Sequence, residues 1–154
     1  MLLEEVLSLV DVDALGDGDA LDATAELVDH AFDQGDLDLN ARALEWCETL
    51  AARALAAADL ATLDYFRANI GAHRQQARHS DRTAAWSWDQ EELQQQVFFL
   101  RRTLNSPAFP ELHVVRRCQV LTNLGNQLDI ASASGSGNTT DSWFRFKVWS
   151  RSTV

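Results

Sequence analysis

The chain has 154 residues, 46% of them apolar, a net charge of −10 and two cysteines. That length suits one domain with a sizeable core. No apolar run approaches the roughly 18 residues of a membrane span. The opening Met1-Leu2-Leu3-Glu4-Glu5 lacks the basic segment of a secretory signal, so the expected location is the cytoplasm, with no membrane partner.

Leu2 to Val10 has helical spacing and predicts a short leading helix, followed over residues 11–19 by an acidic loop with Gly16 and Gly18. A helix is predicted from Ala20 to Gln34 with Leu21, Ala25, Val28 and Phe32 inward, ended by Gly35 and Asp36. The next covers Leu39 to Ala57, with Leu44, Cys47, Leu50, Ala51 and Leu55 inward and an Ala-rich end that favours helix. Asp59 is a candidate N-cap for a helix from Leu60 to Arg78 carrying Leu63, Phe66, Ile70 and Ala77.

A polar connection follows over residues 79–87. Ser87, with Gln90 three residues on, fits a capping box for a helix carrying Leu93, Val97, Leu100 and Leu104. Asp89, Glu91 and Glu92 in its first turn and Arg101 and Arg102 in its last match the helix dipole. Asn105, Pro107 and Pro110 break it. The last helix runs from Glu111 to Ile130 with Val114, Cys118, Leu121, Leu124 and Leu128 inward. From Ala131 the composition becomes that of a flexible Ser/Gly linker, and Ser142 to Trp149 is aromatic, basic and strand-like.

The expected fold is all-α: antiparallel helix hairpins in a short α-solenoid over residues 20–130, with a disordered or strand-like tail over 131–154. Gly71 and Gly125 each follow a large apolar residue inside a helical pattern. A mid-helix glycine costs about 1 kcal/mol relative to alanine, so each predicts a close helix–helix approach. The helix over 111–130 opens a hairpin that is not closed. It is therefore expected to expose an apolar face and to favour self-association.

Charge is unevenly spread. Residues 1–65 carry 16 acids and 2 bases; residues 66–154 carry 7 acids and 11 bases. Abundant Asp and a single Lys resemble proteins of salt-loving cells, where surface carboxylates serve solvation; the alternative is a docking face for a basic partner. Cys47 and Cys118 lie in apolar helical patterns and are expected as small buried residues. No CxxC or Cys/His cluster is present, so no structural zinc, and no other cofactor, is expected.

Leu121, Leu124, Gly125 and Leu128 have the spacing of the first helix of a tetratricopeptide repeat, which this stretch resembles. A closer resemblance spans about residues 60–130. Tyr65-Phe66-Arg67-Ala68-Asn69, Trp86-Ser87-Trp88-Asp89-Gln90-Glu91-Glu92-Leu93 and Arg117 through Asn126 are similar to the N-terminal repeat region of LA2681-like HEPN proteins. The resemblance implies a tetratricopeptide-type scaffold ahead of a HEPN domain of toxin-like ribonuclease type. Beyond Asp129 the chain departs from that pattern. A truncated product is therefore expected, and the nuclease activity is not carried over.

The function expected is a non-catalytic scaffold that binds a protein or peptide through Tyr65, Asn69, Arg117, Asn123 and Asn126, with Trp86 and Trp88 as an aromatic recognition surface or as pins for the connection. The alternative is an RNA-linked activity. Arg74-Gln75-Gln76-Ala77-Arg78-His79 has the Arg…His spacing that assists 2′-OH attack in HEPN-type ribonucleases, so Arg74 and His79 are the candidate pair. Arg67, Arg74, Arg78, Arg82, Arg101, Arg102, Arg116 and Arg117 could contact phosphates, against an expectation that they pair with acids of the same chain. Asp11, Asp13, Asp17, Asp19 and Asp22, with Gly16, resemble an EF-hand calcium loop. Leu15 at the fifth position and Asp in place of Glu at the twelfth favour a solvated loop instead.

Overall fold

The computed structural model describes residues 3–78 and 88–136, and all regular structure among them is helical. The elements are α1 (Leu3–Leu9), a 3-10 turn (Val12–Ala14), α2 (Asp17–Gln34), α3 (Leu37–Ala51), α4 (Ala57–Arg78), α5 (Gln90–Leu104), a second 3-10 turn (Phe109–Glu111) and α6 (Val114–Ser136). Each of α2 to α6 packs on its neighbour in sequence, and α2 also touches α4. The result is the expected stack: hairpin α2–α3, hairpin α4–α5, then α6.

Local chemistry sets the joints. Between α2 and α3 the chain reverses within two residues. Gly35 takes φ +63°, open to glycine without strain, and the Asp36 amide donates to the Ala31 carbonyl at 3.1 Å. Asp36 then caps α3, accepting from the Asp38 and Leu39 amides at 2.8 and 3.0 Å.

α3 stops at Ala51, six residues before the predicted end. Arg53 is the reason: its guanidinium donates to the Val12 carbonyl at 2.6 Å and the Leu15 carbonyl at 3.1 Å, and ion-pairs with Asp17 at 3.2 Å. Those bonds hold the turn before α2 against the end of α3, and they outweigh the helix propensity of the alanines. Asp59 is not a cap, since α4 begins at Ala57. α5 is capped by Asp89, not Ser87, with the Glu91 and Glu92 amides donating at 3.0 and 3.1 Å. α6 continues to Ser136, six residues into the stretch predicted as linker. The rest of the predicted tail, residues 137–154, lies outside the described residues, as does the connection 79–87.

The core joins Leu27 and Val28 of α2, Cys47 and Leu50 of α3, Leu63, Phe66 and Ile70 of α4, Leu100 of α5, and Val120 and Leu124 of α6. Polar groups also bridge helices. Thr103 donates to the Ala61 carbonyl at 3.1 Å, and Arg102 forms a two-pronged pair with the buried Asp64 carboxylate. Bidentate guanidinium–carboxylate bonding holds geometry as well as charge.

The two mid-helix glycines differ. A methyl on Gly71 would sit 3.1 Å from Gln96 Cγ, so this glycine does admit a close approach of α5 to α4. Among the described residues a methyl on Gly125 would meet nothing within 4 Å, so that glycine serves no close approach between these helices.

The predicted inward face of α6 is corrected too. Only Leu124 of it is buried; Val114, Cys118, Leu121 and Leu128 are exposed. The buried face is Val120, Leu124, Gln127 and Ile130.

Gln96 is buried with neither its Oε1 nor its Nε2 in a hydrogen bond. Unpartnered buried polar atoms cost about 1–3 kcal/mol. Methionine has the same unbranched reach without them. Gln96→Met should therefore raise stability by about 1 kcal/mol, read as a shift in the urea midpoint at unchanged slope. A destabilised variant would show that the amide is bonded.

Candidate peptide-binding groove

Residues of α2, α4 and the start of α6 line a partly open cavity of about 320 Å³. α2 contributes Ala25, Val28 and Asp29; α4 contributes Tyr65, Phe66 and Asn69; the start of α6 contributes His113, Val115, Arg116 and Gln119. The volume is at the small end for ligand pockets.

The floor is aromatic. Arg116 lies over it, its guanidinium carbon 4.2 Å from the Tyr65 ring centroid and 5.2 Å from that of Phe66. A cation–π contact of this kind restrains the guanidinium without using its N–H groups, which remain able to donate. Among the described residues the Arg116 guanidinium has no hydrogen-bond acceptor. His113 ends the loop before α6, and its Nδ1 accepts from the Val115 amide at 3.4 Å, so the positive end of the α6 dipole opens beside Arg116. Asp29 supplies the opposite charge. Though Asp29 is exposed, partial desolvation by the surrounding helices pushes its carboxyl above the usual range, and the Arg116 charge works against that shift.

One turn further along α4, the groove is closed by an amide pair. Asn123 Nδ2 donates to Asn69 Oδ1 at 3.0 Å and ties α6 to α4. Beyond it, His73 stacks against Phe32 of α2 with ring centroids 4.2 Å apart. Burial pushes its imidazole down to about 3, which keeps the ring neutral at physiological pH.

Of the residues predicted to hold a partner, Tyr65 and Asn69 line the cavity, and Asn123 engages Asn69 directly. Arg117 does not line it. It is half-buried with its Nε unpartnered, and the neighbouring Arg116 takes the cavity position. Asn126 is half-buried on α6, outside the cavity lining. Trp88 sits half-buried just ahead of α5, while Trp86 lies outside the described residues. Asp29, His113 and Arg116 are the groove residues that sequence reasoning missed as a set.

The other candidates separate in space. Arg74 and Arg78 both donate to Glu92 Oε1 at 3.0 Å, and His79 is outside the described residues. Arg67 pairs with Asp64 at 3.6 Å, as Arg102 does. Arg101 is exposed, and Arg82 lies outside the described residues. Of the calcium-like stretch, Asp17, Asp19 and Asp22 belong to α2, while Asp13 and Asp17 lie beside Arg53 at 3.8 and 3.2 Å. That stretch is not the single loop that a calcium ion would need. Among the described residues no three His, Cys, Asp or Glu side chains are grouped to hold a metal, and no helix is long and apolar enough to cross a membrane.

No protein-family model, no curated protein and no solved structure matches the chain.

Proposed function

We propose that the chain is a non-catalytic protein–protein interaction scaffold of tetratricopeptide-like type, located in the cytoplasm, and that its groove between α2, α4 and α6 holds a peptide segment. The observation that carries this is Arg116. A guanidinium whose carbon lies 4.2 Å from the Tyr65 ring centroid, at a partly open cavity and, among the described residues, without a hydrogen-bond acceptor, is placed to meet an anion such as a carboxylate. Asn69 and Gln119 beside it can bond to a peptide backbone. The resemblance of residues 60–130 to the repeat region of LA2681-like HEPN proteins supports the same function. The RNA-linked alternative has no comparable support, because Arg74 is committed to Glu92.

Fluorescence polarisation tests this with labelled octapeptides of Ala and Gly that end in Asp-Glu with a free carboxylate, or in Lys-Lys with an amide. The acidic peptide should bind, and Arg116→Ala should weaken it about tenfold, the loss of one charge-assisted contact. Arg101→Ala, exposed on α5, should leave binding unchanged. Equal binding of both peptides, or an unaffected Arg116→Ala variant, would remove the assignment.

A further inference from the structure

α6 presents three faces. One packs into the core through Val120, Leu124 and Gln127, and one lines the groove through Val115 and Gln119. The third points to solvent. On it Val114, Cys118, Leu121, Gly125 and Leu128 recur at spacings of four and three, and none carries a charge. Val114 is 53% exposed, Leu121 52% and Leu128 37%. The stripe runs about 21 Å along the helix. An apolar seam at this spacing is what a second helix packs against.

Gly125 indicates what that helix is. It lies in the middle of a 23-residue helix, where glycine weakens the structure, and among the described residues nothing comes within 4 Å of the place of its missing Cβ. Its small size therefore suits an approach from outside. We propose that the approach is made by a second copy of this chain, with the two α6 helices antiparallel about a two-fold axis level with Asn123. In that register Leu121 of one copy lies opposite Gly125 of the other, large into small, and Cys118 lies level with Leu128.

Parallel pairing would set Leu121 against Leu121 and leave a gap at Gly125. It would also bring the Arg116–Arg117 ends together, whereas antiparallel pairing sets them level with the Asp129 end and opposes the helix dipoles. Charge permits contact here and opposes it elsewhere. The acids concentrate in residues 1–65, at the other end of the stack from α6. One helix pair covers less than the roughly 800 Å² per partner of a stable interface, so the dimer is weak and depends on concentration.

Sedimentation of the full chain under reducing conditions, from about 1 to 500 µM, tests the proposal. The expected result is a shift from 17.2 kDa toward twice that mass, stopping at two copies. Leu121→Glu should hold the chain monomeric; Phe98→Glu, at an exposed site on α5, should not. Register is read by oxidation. Leu128→Cys should form a covalent dimer with Cys118 of the second copy. The wild type should not, because its two Cys118 residues lie about 15 Å apart along the axis. A monomer at every concentration, growth beyond two copies, no effect of Leu121→Glu, or no cross-link through Leu128→Cys would each overturn the proposal. Arg116→Ala leaves the stripe intact, so failure of the groove assignment and failure of the dimer are separate results.

Discussion

Replacing Leu63 by alanine is expected to destabilise the protein by about 3 kcal/mol, the centre of the range for emptying a well-packed leucine site. Leu63 is 0% exposed and among the largest fully buried side chains. It stands on α4, which packs against α2, α3 and α5 and is bonded to α6 through Asn69. Leu63 belongs to the hydrophobic core shared by these helices, so its loss leaves a void that the packed surroundings only partly fill. Urea unfolding followed by helical circular dichroism should show a lower midpoint. Leu60→Ala is the internal comparison: three residues away on the same helix and 38% exposed, it should cost less than 1 kcal/mol. Equal effects at the two positions would mean that α4 is not seated as described. The consequence reaches the groove, since α4 also carries Tyr65 and Asn69.

The fold was largely legible because most helices present one apolar face. Leu63, Phe66 and Ile70 mark α4, and Leu93 and Leu100 mark α5, at spacings no other structure satisfies. Where the sequence misled, a tertiary contact or a second apolar face intervened. The alanines after Ala51 favour helix, yet Arg53 turns away to bond the carbonyls of Val12 and Leu15, which are 41 and 38 residues distant. Nothing local announces that.

α6 carries apolar residues on two faces, and its buried face includes Gln127. Periodicity alone therefore chose the more uniformly apolar stripe. That rotation also explains the site: it moves the groove position from Arg117 to Arg116. Tyr65 and Asn69 were legible because α4 was phased correctly. Asp29 and His113 carry no local signal, since stacking of hairpins brings them to one cavity from sequence positions 84 residues apart.

Acidification should expose the role of His73. Its folded-state pKa is lowered to about 3, against roughly 6.5 in the unfolded chain. Above pH 6.5 both states are neutral and the residue makes no pH-dependent contribution. As pH falls below that, the unfolded chain takes up a proton that the buried ring refuses, so stability is lost progressively until pH approaches 3. Between pH 6 and pH 4 the loss from this residue amounts to roughly 2–3 kcal/mol. Asp29 opposes it: its carboxyl is raised by partial desolvation, so its contribution grows as pH falls toward 3.8. The test is therefore a difference between variants. His73→Leu keeps an apolar contact with Phe32 and removes the titration, so its stability should fall less steeply from pH 6 to pH 4 than that of the wild type. Parallel pH profiles would show that the imidazole charges freely in the folded protein and that the packing of α4 against α2 opens there.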